Sequence, residues 1–88
     1  MKYVMIDCKN MVDEASVHDT FAAALEFPSY YGRNLDALYD LLSTCPETTL
    51  TLTNAAALGE LFRYGDNLKL TLEDAAKANE LLTLEYRD

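Results

Sequence analysis

Three short runs carry the β-forming residues of this chain: KYVMIDC at Lys2–Cys8, TTLTLT at Thr48–Thr53 and LLTLEY at Leu81–Tyr86, with helical patterns between them. Strands separated by helices do not close as hairpins. Their crossovers are right-handed and set successive strands parallel. The expected architecture is therefore α/β, a three-stranded parallel sheet packed by about four helices in three layers. KYVMIDC is almost continuously apolar, as in a strand covered on both faces, and is expected mid-sheet. TTLTLT alternates in the manner of a β-branched strand.

The intervening segments carry helix signals. Ser16 followed three residues later by Asp19 resembles a capping box, and Val17, Phe21, Ala24 and Leu25 form the buried stripe of the helix it opens. Pro28 ends the connection after it. His18 falls in the first turn, where it reads as an exposed or structurally bonded histidine without chemistry. Asn54 is expected to cap a helix with Ala57, Leu58, Leu61 and Phe62 facing the core, although Gly59 weakens that helix. Gly65, Asp66 and Asn67 supply turn chemistry, and Thr71 with Asp74 opens a further short helix with Leu72, Ala75 and Ala76 inward. No linker, repeat or low-complexity stretch interrupts the pattern. A chain of 88 residues can bury about 60–65% of its unfolded surface, enough for one modest core, so residues 1–88 are expected to form a single domain.

The run YYGRNLDALYD, Tyr30 to Asp40, is the candidate functional segment. Asn34 is a good N-cap, so a helix is expected just after it. Leu35, Leu38, Leu41 and Leu42 recur at helical spacing and give the core stripe, which leaves Asp36, Tyr39, Asp40 and Ser43 on the opposite side. Asp36 and Asp40 then lie one turn apart. Like charges at that spacing cost an isolated helix roughly 0.2–0.5 kcal/mol, partly offset for Asp36 by the N-terminal dipole. The common reading of such a face is simple solvation. The tyrosines favour recognition, because aromatic rings beside carboxylates suit arginine and lysine. Tyr31 is expected to be core.

Charge narrows the classes of partner. Fifteen acidic against seven basic residues give a net charge of −8, which disfavours nucleic acid and anionic membrane and favours fast encounter with a basic protein. The apolar runs are far short of the ~18 residues of a membrane span, and MKYVMIDCKN lacks the features of a signal peptide, so a cytoplasmic protein is expected. Cys8 and Cys45 read as two reduced thiols, not a disulfide or a redox motif. No metal or cofactor site is expected: His18 with scattered acids makes neither a zinc nor a nucleophile constellation. An Asp36/Asp40 general acid/base pair is a poor candidate, since neighbours on one exposed helix do not flank a substrate, and the chain is not expected to be an enzyme. An exposed acidic face would repel its own copy, which favours a monomer.

The segment Pro28–Leu42, PSYYGRNLDALYDLL, resembles the signature of the barstar family, small intracellular inhibitors of barnase-type secreted bacterial ribonucleases. The likeness extends more weakly over nearly the whole chain, through its length, opening strand, the His18 helix and the AKA run at Ala76–Ala78. It implies the same three-layer α/β fold and an inhibitor that plugs a basic ribonuclease or related toxin. Asp40 would be the central anchor and Asp36 its companion, both standing in for substrate phosphates, with Tyr30, Gly32, Asn34 and Tyr39 as further contacts. The pattern also departs from the family. Tyr39 stands in place of a tryptophan, and Arg33 replaces an acid beside the site. The Ser43–Pro46 loop is short and lacks a contacting tryptophan. Ala75 occupies the position of a contacting glutamate on the last helix. These departures point to a cognate ribonuclease different from barnase, or to the alternative of an acidic adaptor that binds another basic protein without inhibiting a ribonuclease.

Overall fold

The computed structural model describes residues 2–88. In chain order it contains β1 (Lys2–Asp7), a one-turn 3-10 helix (Cys8–Asn10), α1 (Glu14–Leu25), α2 (Leu35–Leu42), β2 (Thr48–Thr53), a longer 3-10 helix (Ala55–Leu61), α3 (Arg63–Ala78) and β3 (Leu82–Tyr86). The three strands form one parallel sheet in the order β1-β2-β3. Three α-helices and the longer 3-10 helix supply the four helices expected. No helix among the described residues is long and apolar enough to cross a membrane.

Strand parity decides which side chains meet the helices. Val4 and Ile6 lie in register with Leu50 and Leu52, and Leu50 with Leu84, so one face of the sheet is aliphatic and buried. Tyr3 and Met5 point the other way and are 75% and 64% exposed. β1 is thus an edge strand with an open face, not the doubly covered central strand its apolar run suggested. The central place belongs to β2, which pairs along both edges, with Thr48, Leu50 and Leu52 buried on the helix side and Thr51 buried among its neighbours on the open face. A continuous apolar run is compatible with either position, because the exposed face of an edge strand can carry large apolar residues. α1 packs on β1, α3 on β3, and α2 chiefly on α3. The layers therefore stack on one side of the sheet, and the face bearing Tyr3 and Met5 stays open.

The cap of α1 lies three residues earlier than the Ser16–Asp19 spacing suggested. Asp13 is the N-cap and Ser16 the third helical residue: Ser16 N–H donates to Asp13 Oδ1 at 2.8 Å, and Asp13 N–H donates to Ser16 Oγ at 3.0 Å. Both patterns place a small polar residue and a partner three apart, so spacing alone did not fix the register. Val17 and Phe21 are buried on this helix as expected, with Ala24 and Leu25 half-buried against the core.

The second half of the chain departs further from expectation. Asn54 does not cap a helix. It sits at φ 54° and its amide donates to Asp7 Oδ1 at 2.9 Å. The segment after it is a 3-10 helix that buries Leu58 and Leu61, while Phe62 is 81% exposed at φ 54° instead of facing the core. α3 then runs unbroken through Gly65, Asp66, Asn67 and Thr71, where a turn and a new cap were expected. Gly65 lies inside the helix, and close packing is the reason for glycine there, since a Cβ would collide with the carbonyl oxygen of Leu58. Thr71 bonds back to the Asn67 carbonyl at 2.8 Å, the habit of a mid-helix threonine. Leu72 and Ala75 are buried and Ala76 is half-buried, as expected.

Candidate functional site

The loop before α2 is shaped by a few local contacts. The N–H of Tyr31 donates to the Pro28 carbonyl at 3.0 Å, which closes a turn and sends the two tyrosines apart. Tyr30 is 81% exposed, whereas Tyr31 is buried with its ring centroid 4.7 Å from that of Phe27. Gly32 lies against the first turn of α2, where a Cβ would stand 3.1 Å from that of Ala37. Its backbone angle is ordinary, so close approach is the reason for glycine here. Asn34 then caps α2 as expected, its Oδ1 accepting from the Ala37 N–H at 2.7 Å.

α2 buries Leu38 and Leu42 and half-buries Leu35 and Leu41. Asp36 and Asp40 are exposed, and among the described residues neither carboxylate takes part in a hydrogen bond or ion pair. Tyr39 is half-buried against the core. Of the six site residues expected, Tyr30, Gly32 and Asp40 converge on a shallow depression of roughly 200 Å³ that Tyr31, Ala37 and Leu41 complete. Asp36 lies one turn before Asp40 and does not line that depression. Asn34 is occupied in capping. The result is an acidic ridge beside an exposed aromatic ring, able to take cationic side chains.

The supporting side chains were harder to foresee. His18 is buried between two tyrosines, with Nδ1 2.6 Å from the Tyr31 hydroxyl and Nε2 2.6 Å from the Tyr64 hydroxyl. Burial, helped by the nearby Arg33 charge, holds this imidazole below its usual value, while burial pushes the Tyr31 hydroxyl up to about 12. His18 is thus structurally bonded and not exposed, one of the two readings the sequence left open, and nothing in the sequence named its partners. Arg33, at φ 56°, turns back to Asp19 on α1 at 2.6 Å. Asn79 was missed altogether. It is buried after α3 and donates its amide to the carbonyls of Leu42 and Cys45 at the end of α2, and no local pattern signals partners so far back in the chain.

On the last helix and just after it, Ala75 is fully buried, and the nearby Glu73, Asp74 and Glu80 are exposed. Cys8 is buried and Cys45 half-buried, and both are free thiols. Among the described residues no three His, Cys, Asp or Glu side chains converge as a metal site would require.

The sequence model of the family described as Barstar (barnase inhibitor) matches residues 1–86. The chain belongs to the barstar family. A relative from Bacillus subtilis (strain 168), named "Putative ribonuclease inhibitor YrdF", is 42% identical to it over 52 residues, 59% of this chain and 57% of that protein. The match thus spans little more than half of that relative's length. Barstar membership accords with the three-stranded parallel sheet packed by helices.

Proposed function

We propose that this barstar-family protein inhibits a basic bacterial ribonuclease, or a related toxin, by inserting α2 and the loop before it into the enzyme's RNA-binding cleft. The observation that carries the reading is the pair of exposed, unpartnered carboxylates of Asp36 and Asp40 beside the exposed ring of Tyr30. A cleft built to hold RNA phosphates offers arginine, lysine and histidine side chains, and carboxylates at those places make charge-assisted hydrogen bonds. Asp40 is the anchor, since it shares the depression with Tyr30 and Gly32. Asp36 extends the negative ridge, Tyr39 and Tyr30 give packing surface, and Asn34 holds the helix start. The net charge of −8 draws a basic partner in and makes association depend on salt.

In this reading residues 1–88 act as one domain, monomeric when free, in the cytoplasm, without metal, cofactor or catalytic reaction. The short Ser43–Pro46 loop and the buried Ala75 remove two contacts made elsewhere in the family, so the cognate enzyme differs from barnase in the surfaces facing them.

The test is RNA cleavage by a panel of barnase-like secreted ribonucleases, titrated with wild-type protein and with Asp40→Ala at two salt concentrations. Stoichiometric inhibition by the wild type, lost in the variant and weakened by salt, is the expected result. Equal inhibition by both proteins would remove Asp40 from the site. Binding to basic proteins with no effect on any ribonuclease would instead mark an acidic adaptor.

A further inference from the structure

The acidic segment is held from behind at both ends by buried polar side chains from other elements. At its entry His18 of α1 bridges the hydroxyls of Tyr31 and of Tyr64 in α3, both at 2.6 Å. At its exit Asn79, 8% exposed, donates its amide to the carbonyls of Leu42 at 2.9 Å and Cys45 at 3.1 Å. The Asn79 Oδ1 accepts from the Leu81 N–H at 3.0 Å. Leu42 closes α2, and the last carbonyls of a helix have no partner within it.

We infer that His18 with Tyr64, and Asn79, are positioning residues for the partner-binding segment, each fixing one of its ends to the body formed by α1 and α3. The inference rests on reading that segment as the binding face. A neutral imidazole has one donor and one acceptor, so one tyrosine donates to it and the other accepts from it. Breaking either bond leaves a buried nitrogen without a partner, which makes the bridge a stiff link. The His18 clamp acts on the segment itself, and the two bonds that Asn79 donates do the same, while its Oδ1 holds Leu81 just before β3. Their effect is to order the Asp36 and Asp40 carboxylates before the partner arrives, which lowers the ordering cost of association. Neither clamp touches the partner.

Two near-isosteric variants test this. Tyr64→Phe removes one hydroxyl from the first clamp. Asn79→Asp keeps the acceptor for Leu81 but loses both donated bonds. Amide hydrogen exchange in the free protein is measured alongside dissociation constants for the inhibited ribonuclease. Tyr64→Phe is expected to speed exchange at Tyr31 and Ala37, and Asn79→Asp at Ser43 and Cys45, with Leu50 and Leu52 of the central strand unchanged. Each variant is expected to weaken binding about five- to tenfold. Exchange that rises equally in the central strand, or unchanged exchange at the segment ends, would overturn the inference. If the wild type inhibits no ribonuclease, the proposed function fails, and the exchange pattern still decides whether the clamps exist.

Discussion

Arg33 turns its guanidinium away from the helix it precedes and pairs with Asp19 on α1 at 2.6 Å, also donating to the Ala15 carbonyl at 3.3 Å. Both side chains are largely exposed, so the pair contributes at most about 0.2–1 kcal/mol. Against this stands the left-handed backbone at φ 56°, which disfavours a non-glycine residue by roughly 1–2 kcal/mol. Arg33→Gly is therefore expected to leave stability within about 1 kcal/mol of wild type, because the lost ion pair is offset by relief of the left-handed backbone strain. Removal of one positive charge beside the acidic ridge should also speed association with a basic ribonuclease, most at low salt. Urea midpoints and stopped-flow association rates at two ionic strengths check both expectations.

Asp36 and Asp40 cost the free protein a little and gain it nothing in contacts. Asp40→Asn should change stability by no more than about 0.5 kcal/mol while removing most of the inhibition. A large drop in the unfolding midpoint would mean that Asp40 holds the fold, and loss of inhibition would then carry no information about the site.

Glycine acts differently at two places in the second half of the chain. Helix propensity favours Ala over Gly by about 1 kcal/mol in a helix interior. At Gly65, however, the added methyl meets the Leu58 carbonyl oxygen. Gly65→Ala is expected to destabilise by about 1–3 kcal/mol through overpacking. At Gly59 a Cβ meets nothing within 4 Å, so Gly59→Ala should be neutral or stabilising by up to about 1 kcal/mol. Chemical denaturation of the two variants side by side would expose any reversal of this order.

Stability should fall on acidification. The unfolded His18 imidazole takes up a proton near 6.5, whereas the buried folded one resists until a lower pH. Protons thus favour the unfolded chain, and stability drops as pH falls through 6.5 and levels off below the folded value. The alkaline side mirrors this. Tyr31 and Tyr86 keep their protons to about 12 in the fold against 10 when unfolded, so their contribution is lost as pH rises from 10 to 12. Urea unfolding of wild type and His18→Gln between about pH 8 and about pH 5 is expected to show a slope only in the wild type. The same slope in both proteins would assign the pH dependence to other groups.

The thiols should react in sequence. Cys8 is fully buried with its thiol pushed up to about 11, chiefly by burial, whereas Cys45 is half-buried. A thiol reagent at neutral pH is expected to modify Cys45 first and Cys8 only on unfolding. Equal rates in the native protein would indicate frequent opening of the 3-10 turn at Cys8.

What the sequence determined by itself was local or periodic. The Asn34 cap, the leucine stripe and the exposed aspartates of α2 follow from a few neighbouring residues, because a cap reaches only three residues and a helix face repeats every few. The parallel sheet followed as well, since chains that return through helices have little other choice. Only the tertiary structure decided what depends on distant neighbours. The central place fell to β2 and not β1, because sheet order is set by which strand both others pair with, and no strand carries that in its own pattern. Gly65 looked like a turn until Leu58 was seen against it, and Asn54 looked like a cap until Asp7 took its amide. The partners of His18 and Asn79 lie up to 46 and 37 residues away along the chain. Those bridges exist only once the helices have packed, so the chain order alone could place the acidic segment but not what holds it still.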